Sequence, residues 1–254
     1  MKSKIGVAAL IGLLATGLLA TAAAAQCYPS PPAPGPMIKF DQNAYAYATA
    51  YDPATFSFPV GSQLTVVGKV SLFCAPFLDL DADDPSTEYT FILNSLGSLG
   101  TTSKPFGSSG TQYTSTFTTG SFRIFAGSPP NIPDPLPPLP APGIIPNKYI
   151  DGSTLLVGVL DNFTIVITRS SLGSYSGSFR ADYMCTAGSM LGRVGSAWNL
   201  LSGAWCPVPP SDPAPLGTCV LPTGWIAHPN GKWDGPGTTP VTPSTWGTIK
   251  SLYR

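Results

Sequence analysis

The sequence predicts an all-β protein, an antiparallel β-sandwich of the jelly-roll or immunoglobulin-like kind with long proline-rich loops. Several short segments alternate apolar and polar residues with the period of two that a strand requires. Turn residues separate these segments. The 254 residues include 29 prolines and 27 glycines, which shorten or break helices. The pattern is typical of sandwiches and barrels, and of the two we expect the sandwich.

The strand-like segments combine alternation with suitable residue types. In residues 44–51 three tyrosines fall on one parity, and residues 64–72 are rich in β-branched side chains. Both kinds of side chain are enriched in strands. The full set of predicted strands is 44–51, 64–72, 88–93, 113–117, 122–125, 155–160, 163–168 and 175–183.

Two pairs of these strands are predicted to form hairpins. Gly120 lies between the segments 113–117 and 122–125 and suits a tight turn. Asp161 and Asn162 separate the next pair, and both residue types tolerate the positive φ that a two-residue hairpin turn needs. The sequence therefore predicts turns at Gly120 and at Asp161–Asn162.

The segment 189–206 combines conflicting signals. Its large apolar residues recur at spacings of three and four, which is helical. Its glycines, which include Gly192 and Gly203, each disfavour a helix by about 1 kcal/mol relative to alanine. We expect an irregular strand here.

Proline runs indicate how the chain is organised. We expect a proline-rich arm at 26–36, a β-sandwich domain at 37–235 and a Pro/Thr-rich tail at 236–254. The run at 129–146 is read as a long loop within one domain rather than as a linker between two. The tail is either a sorting signal or a frayed terminus.

Residues 1–25 have the character of a secretory signal peptide. Lys2 and Lys4 precede an apolar run, and Ala23 to Ala25 offer the small residues of a cleavage site. No second long apolar run follows, so we expect no membrane span after cleavage. The predicted location is secreted or at the cell surface.

Charge and histidine content exclude several classes of function. Thirteen basic residues balance 13 acidic ones, and only 10% of residues are charged. Nucleic acids require clustered Lys and Arg, as does an anionic membrane, and the zero net charge argues against both. His228 is the single histidine, in a segment predicted to be an exposed turn. Because no G-x-S-x-G motif accompanies it, a serine-hydrolase triad is not expected.

The five cysteines fit an oxidising compartment. We expect one disulfide between Cys206 and Cys219, across a short proline-rich loop, and a second between Cys74 and Cys185. Cys27 is then left over, either as a free thiol or paired between chains. Without a C-x-x-C motif and with one histidine, a structural zinc site is not expected.

Alternating carboxylates suggest calcium as a cofactor. Hard oxygen ligands are what Ca²⁺ prefers, but the run departs from an EF-hand at the positions that require Gly and Glu. The alternative is a solvated acidic loop between two strands. The candidate ligands are Asp79, Asp81, Asp83, Asp84 and Glu88.

Tryptophans near the end of the chain suggest a carbohydrate-binding face. Flat indole rings can stack on sugars, and nearby amides and carboxylates can bind hydroxyl groups. The candidate residues are Trp225, Asn230, Trp233 and Asp234. The competing interpretation is that these tryptophans pack in the core, as large aromatic side chains commonly do.

These features favour a secreted, non-catalytic protein with a structural or adhesive role outside the cell or at its surface. Its expected partner is an extracellular or cell-surface polysaccharide or protein. Two alternatives from other classes are a carbohydrate-binding module and a hydrolase that uses a pair of Asp residues. No spacing in the sequence singles out such a pair.

Overall fold

The computed structural model describes residues 35–40, 44–108, 110–132, 147–211 and 213–235. The predicted signal peptide at 1–25 and the predicted tail at 236–254 lie outside the described residues. So does most of the proline-rich loop.

Within the described chain the secondary structure is almost entirely strand. Two very short helices interrupt it, a single turn of 3-10 helix and one turn of α-helix, α1. The elements are β1 Pro36–Phe40, β2 Ala44–Ala48, β3 Gln63–Lys69, β4 Leu72–Phe73, β5 Glu88–Phe106, β6 Gly110–Phe117, β7 Gly120–Gly127, the 3-10 helix Asn147–Tyr149, β8 Ser153–Arg169, β9 Tyr175–Ala187, α1 Leu191–Val194, β10 Trp198–Pro207 and β11 Ala227–Asp234.

The strands form a closed antiparallel barrel. Eight of them pair in a ring in the order β2, β3, β5, β6, β8, β9, β10 and β11, and the ring closes where β11 pairs with β2 through Ala227 and Ala46. The other three extend this ring: β7 lies between β5 and β8, as β6 does, and β1 lies between β11 and β4. The all-β antiparallel class is as predicted, but the sandwich is wrong. Alternation within a strand is the same in both architectures, and only pairing between distant strands closes a barrel.

Neither predicted hairpin turn is present. β6 and β7 follow each other with only two residues between them, and both pair with β5 and β8. β8 is one strand throughout, and Asn162 adopts its positive φ of 53° in a bulge against β9. A residue that tolerates positive φ suits a bulge as well as a turn. At Gly120 the lack of a side chain serves packing, because an added Cβ would lie 2.8 Å from the carbonyl oxygen of Asn94.

The segment 189–206 divides into a short helix and a strand. Leu191–Val194 forms one helical turn, and β10 begins at Trp198 and pairs with β9 and β11. The strand that we expected here is confirmed over residues 198–206, which are half of the segment. The three-and-four spacing of apolar residues arises because this helical turn precedes a strand with a buried face.

Phenylalanine rings fill much of the barrel interior, and several lie beside a glycine on the neighbouring strand. Direct cross-strand partners include Phe91 with Gly68, Phe122 with Gly158 and Phe179 with Gly203. At each of these glycines an added Cβ would lie within 2.7 Å of an atom of its partner's ring. Glycine in a strand often marks a close approach of this kind. These phenylalanine rings therefore pack directly against the backbone of glycines on the neighbouring strands.

Loops carry further side chains into the core at both ends. At one end, the connection from β4 to β5 buries Phe77, and α1 adds Val194. At the other end, the connection from β2 to β3 buries Phe56 and Phe58, and the ring of Phe56 lies 4.8 Å from that of Tyr175. We call the end with Phe77 and Val194 the acidic end, and the end with Phe56 and Phe58 the apolar end. The names refer to loop residues described below.

Candidate functional site

The predicted calcium ligands are divided among separate protein partners at the acidic end. Asp79 forms an ion pair with Arg193 of α1, which holds the pKa of its carboxyl below the usual range. Asp81 accepts a hydrogen bond from the backbone of Asp83 at 2.9 Å. Asp84 accepts two from Ser86. Carboxylates used in this way stabilise turns.

Glu88 has a different role from these loop acids. Its side chain is 7% exposed, and one carboxylate oxygen forms an ion pair with Lys69. The other oxygen accepts hydrogen bonds from the backbone N–H groups of Asn131 and Ile132 at 3.1 and 3.2 Å. Glu88 therefore fastens the start of the proline-rich loop to the barrel. In the part of the chain described, no three His, Cys, Asp or Glu side chains are arranged to hold a metal ion, and calcium binding stays a prediction.

A polar recess of about 200 Å³ opens between this loop and the barrel. Its chemistry combines carboxylates, an ammonium group and a phenol. Burial, and after it the charges of the loop aspartates, raise the pKa of Tyr89, so its hydroxyl keeps its proton. The lining residues are Lys69, Val70, Ala82, Asp83, Asp84, Thr87, Glu88, Tyr89 and Pro130.

The pKa of Asp84, one of the recess carboxylates, is shifted in the direction opposite to the one that the acid of a two-carboxylate hydrolase needs. Such an enzyme requires one carboxyl with a raised pKa as proton donor. The hydrogen bonds from Ser86 lower the pKa of Asp84 instead. Asp84 is therefore unsuited to be the proton donor of such an enzyme.

The predicted carbohydrate face is not assembled. Trp233 is fully buried inside the barrel, 4.9 Å from the ring of Phe40, whereas Trp225 is buried on the outside, 5.4 Å from the ring of Tyr45. Asn230 is exposed on β11. Asp234 is 8% exposed and pairs with Lys232 at 2.8 Å.

The position of each indole follows from the register of the chain. Trp233 points inward because β11 alternates, and Trp225 precedes that strand and packs under a loop. His228, predicted to lie in an exposed turn, is instead in β11 with its ring edge-on to Tyr45 at 5.2 Å.

One of the two predicted disulfides is confirmed. Cys206 at the end of β10 is bonded to Cys219, with Cα atoms 5.6 Å apart. The predicted Cys74–Cys185 bond is wrong, because Cys185 is a free, buried thiol and Cys74 is bonded elsewhere. Cys185 points into the barrel core from β9. Cys27 lies outside the described residues.

We expect Cys185 to resist alkylation in the folded protein. Burial raises the pKa of its thiol to about 11, so at about pH 8 only roughly one molecule in a thousand carries the reactive thiolate. Iodoacetamide treatment followed by mass spectrometry of the Cys185 peptide measures this in native and urea-unfolded protein. Equal labelling rates in the two states would contradict the buried position.

The apolar end presents large apolar side chains to solvent. Three neighbouring connections each expose one: Phe106 at the turn from β5 to β6 is 51% exposed, Leu172 between β8 and β9 is 94% exposed, and Leu216 between β10 and β11 is 80% exposed. We call these three residues the apolar rim. Val60 and Val220 are two further exposed valines in loops at this end, 77% and 79% exposed.

The three connections of the rim lie against one another. The backbone of Gly110 passes so close to β8 that an added Cβ would lie 2.7 Å from the carbonyl oxygen of Arg169. The backbone N–H of Tyr175 donates to the carbonyl of Leu216 at 2.7 Å. The rim is therefore a fixed feature of the strand ends.

The apolar rim was not predicted from the sequence. Each of its members is a single apolar residue among small turn residues, as in Ser170-Ser171-Leu172-Gly173, and an isolated exposed leucine is unremarkable by itself. Only the direction of the strands places the three at one end. The sequence feature that could have indicated the rim is an apolar residue at the centre of a predicted Gly/Ser turn.

Among the described residues no helix is long and apolar enough to cross a membrane. Comparisons with models of protein families, with curated proteins and with solved structures found no match to this chain.

Proposed function

We propose that this is an exported, non-catalytic adhesive protein whose closed barrel is a rigid support for a binding surface at its apolar end. The observation that carries the proposal is the apolar rim. Exposed apolar side chains gathered at one end of a protein can mark an interaction site. Phe106, Leu172 and Leu216 stand on three connections that lie against one another.

The barrel itself suits a supporting role. Aromatic side chains occupy the interior that open-mouthed barrels use for a ligand, and loop residues such as Phe56 and Phe77 enter the core at its two ends. A packed barrel holds the strand ends in fixed positions. Turns on such strand ends then meet a partner with little loss of conformational entropy.

The disulfide between Cys206 and Cys219 supports the same proposal. It closes the base of the connection that carries Leu216, where Cys219 also donates a backbone hydrogen bond to Pro207 at 2.8 Å. Such bonds form and persist in extracellular compartments. The bond therefore supports export as well as a rigid rim.

The proposal predicts that surface binding depends on the rim. Binding of the purified protein is measured on immobilised cellulose, chitin and a supported phospholipid bilayer, for wild type and for the Leu172→Ser/Leu216→Ser double variant. We expect the variant to bind at least about tenfold more weakly to the surface that wild type binds, since two exposed leucines lose their apolar contact.

Leu78→Ser is the matched control, because Leu78 is 73% exposed at the acidic end. It should bind as wild type does. Equal weakening by the rim and control variants, or no binding of wild type to any of the three surfaces, would contradict a rim-dependent adhesive role. Far-UV circular dichroism verifies that the variants are folded.

A further inference from the structure

We propose that the apolar rim docks onto a lipid bilayer, with Phe106, Leu172 and Leu216 in the boundary between the headgroups and the acyl chains. This inference rests on the proposed function, because it names the surface that the adhesive end contacts. Two features of the rim distinguish a bilayer from a protein partner: how its side chains are spaced, and which charges stand beside them.

The rim residues stand on separate turns rather than in one packed patch. Leu172 lies between Ser171 and Gly173, and Leu216 between Pro215 and Gly217. Protein interfaces centre on contiguous, well-packed anchors surrounded by a polar rim. Isolated apolar tips on small, uncharged turns can instead each enter a fluid apolar layer without taking a charged neighbour with them.

Two basic residues lie close in the sequence to residues of the apolar rim. Lys104 is two residues before Phe106, and Arg169 is three residues before Leu172. Both are exposed, and within the described residues neither is in an ion pair. Basic residues at this depth lie level with lipid phosphates when the tips are inserted, and anionic headgroups attract them.

One described acid at this end, Asp52, offsets part of that attraction, because the hydrogen bonds of its turn lower its pKa and keep it charged. The carboxylate of Asp52 accepts hydrogen bonds at 2.9 and 2.6 Å from Ala54 and Thr55 of its own turn. Asp212 lies outside the described residues. The other loop acids, such as Asp79 and Asp84, are at the opposite end of the barrel. Because these acids gather at the acidic end, the apolar end is the less negative of the two and is the one that faces an anionic surface.

Vesicle co-sedimentation tests the proposal with the full chain. Two sets of vesicles are used, phosphatidylcholine alone and phosphatidylcholine mixed with phosphatidylglycerol. We expect wild type to bind both and to prefer the mixed vesicles, and Leu172→Ser/Leu216→Ser to lower the partition coefficient on both by at least about tenfold. All variants share the same N-terminus, so the proteins compared differ only at the substituted positions.

The charge part of the proposal has its own variant. Lys104→Gln/Arg169→Gln should weaken binding to the mixed vesicles by about fivefold for each charge removed, and should leave binding to phosphatidylcholine unchanged. Lys148→Gln, at an exposed lysine of the acidic end, is the control and should bind as wild type does.

Several results would overturn docking on a bilayer. One is the absence of wild-type binding to either vesicle, and another is equal binding by wild type and the leucine double variant. If rim-dependent binding to cellulose or chitin persists without vesicle binding, the adhesive function stands and the lipid partner is wrong. If sedimentation velocity shows a dimer that Leu172→Ser abolishes, and vesicles are not bound, the rim contacts a second copy of this chain instead.

Discussion

Replacing Trp233 by alanine is expected to remove about 3–5 kcal/mol from the free energy of unfolding, as large-to-small changes at buried aromatic positions do. Trp233 is fully buried on β11, with its ring 4.9 Å from that of Phe40 and 5.0 Å from that of Phe91. Trp233 packs where β11, the last strand of the barrel, pairs with β1. The loss is a large share of the 5–15 kcal/mol that is typical of a whole domain.

Urea unfolding followed by far-UV circular dichroism measures this change. Trp198→Ala is the matched control, because Trp198 is 52% exposed at the start of β10. We expect it to change the unfolding free energy by less than about 1 kcal/mol. A loss of under about 1 kcal/mol for Trp233→Ala would show that the barrel is not packed around this ring.

Replacing Gly203 by valine is expected to destabilise the barrel by about 3 kcal/mol, the upper part of the range for overpacked cores. Gly203 pairs with Gly231 across the β10–β11 contact, and both lie under the ring of Phe179. A Cβ at Gly203 would lie 2.6 Å from the Gly231 Cα and 2.7 Å from Phe179 Cε1. Because one of these atoms belongs to the backbone, the two strands must separate.

Hydrogen exchange locates the damage from this substitution. Amide protection in β10 and β11 should fall before protection in β5 or β8, since the ring opens at the altered pair. Gly192→Ala is the control, because an added Cβ at Gly192 meets no atom within 4 Å. Alanine in this helical turn should be neutral or stabilising by up to about 1 kcal/mol. Equal exchange rates in the Gly203→Val variant and wild type would show that the β10–β11 contact tolerates a larger side chain at Gly203, contrary to this prediction.

These glycines illustrate why the sequence predicted the strands better than their arrangement. Alternation is a local property, and segments such as 64–72 and 175–183 are strands in the structure over most of their length. A glycine within a strand has several local explanations. Gly120 suited a turn and Gly203 counted against a helix, yet at both positions a neighbouring strand approaches closely.

The candidate site depended even more on tertiary structure. The acidic run and the tryptophans were visible in the sequence, but the carboxylates are divided among turns and ion pairs, and Trp225 and Trp233 lie on opposite sides of the barrel wall. The zero net charge argued against an anionic membrane. A sum over the chain cannot show that loop acids gather at one end while Lys104 and Arg169 stand at the other.

The sequence by itself determined the all-β class and most strand positions, and it favoured the disulfide between Cys206 and Cys219 that the structure confirms. All of these depend on residues close together in the chain, through period-two patterning or a short loop closure. Tertiary structure alone decided that the sheet closes into a barrel, that phenylalanine rings rest on glycines of neighbouring strands, and that Phe106, Leu172 and Leu216 form one rim. These features depend on which distant strands pair and in what register, and the same local pattern is compatible with several such pairings.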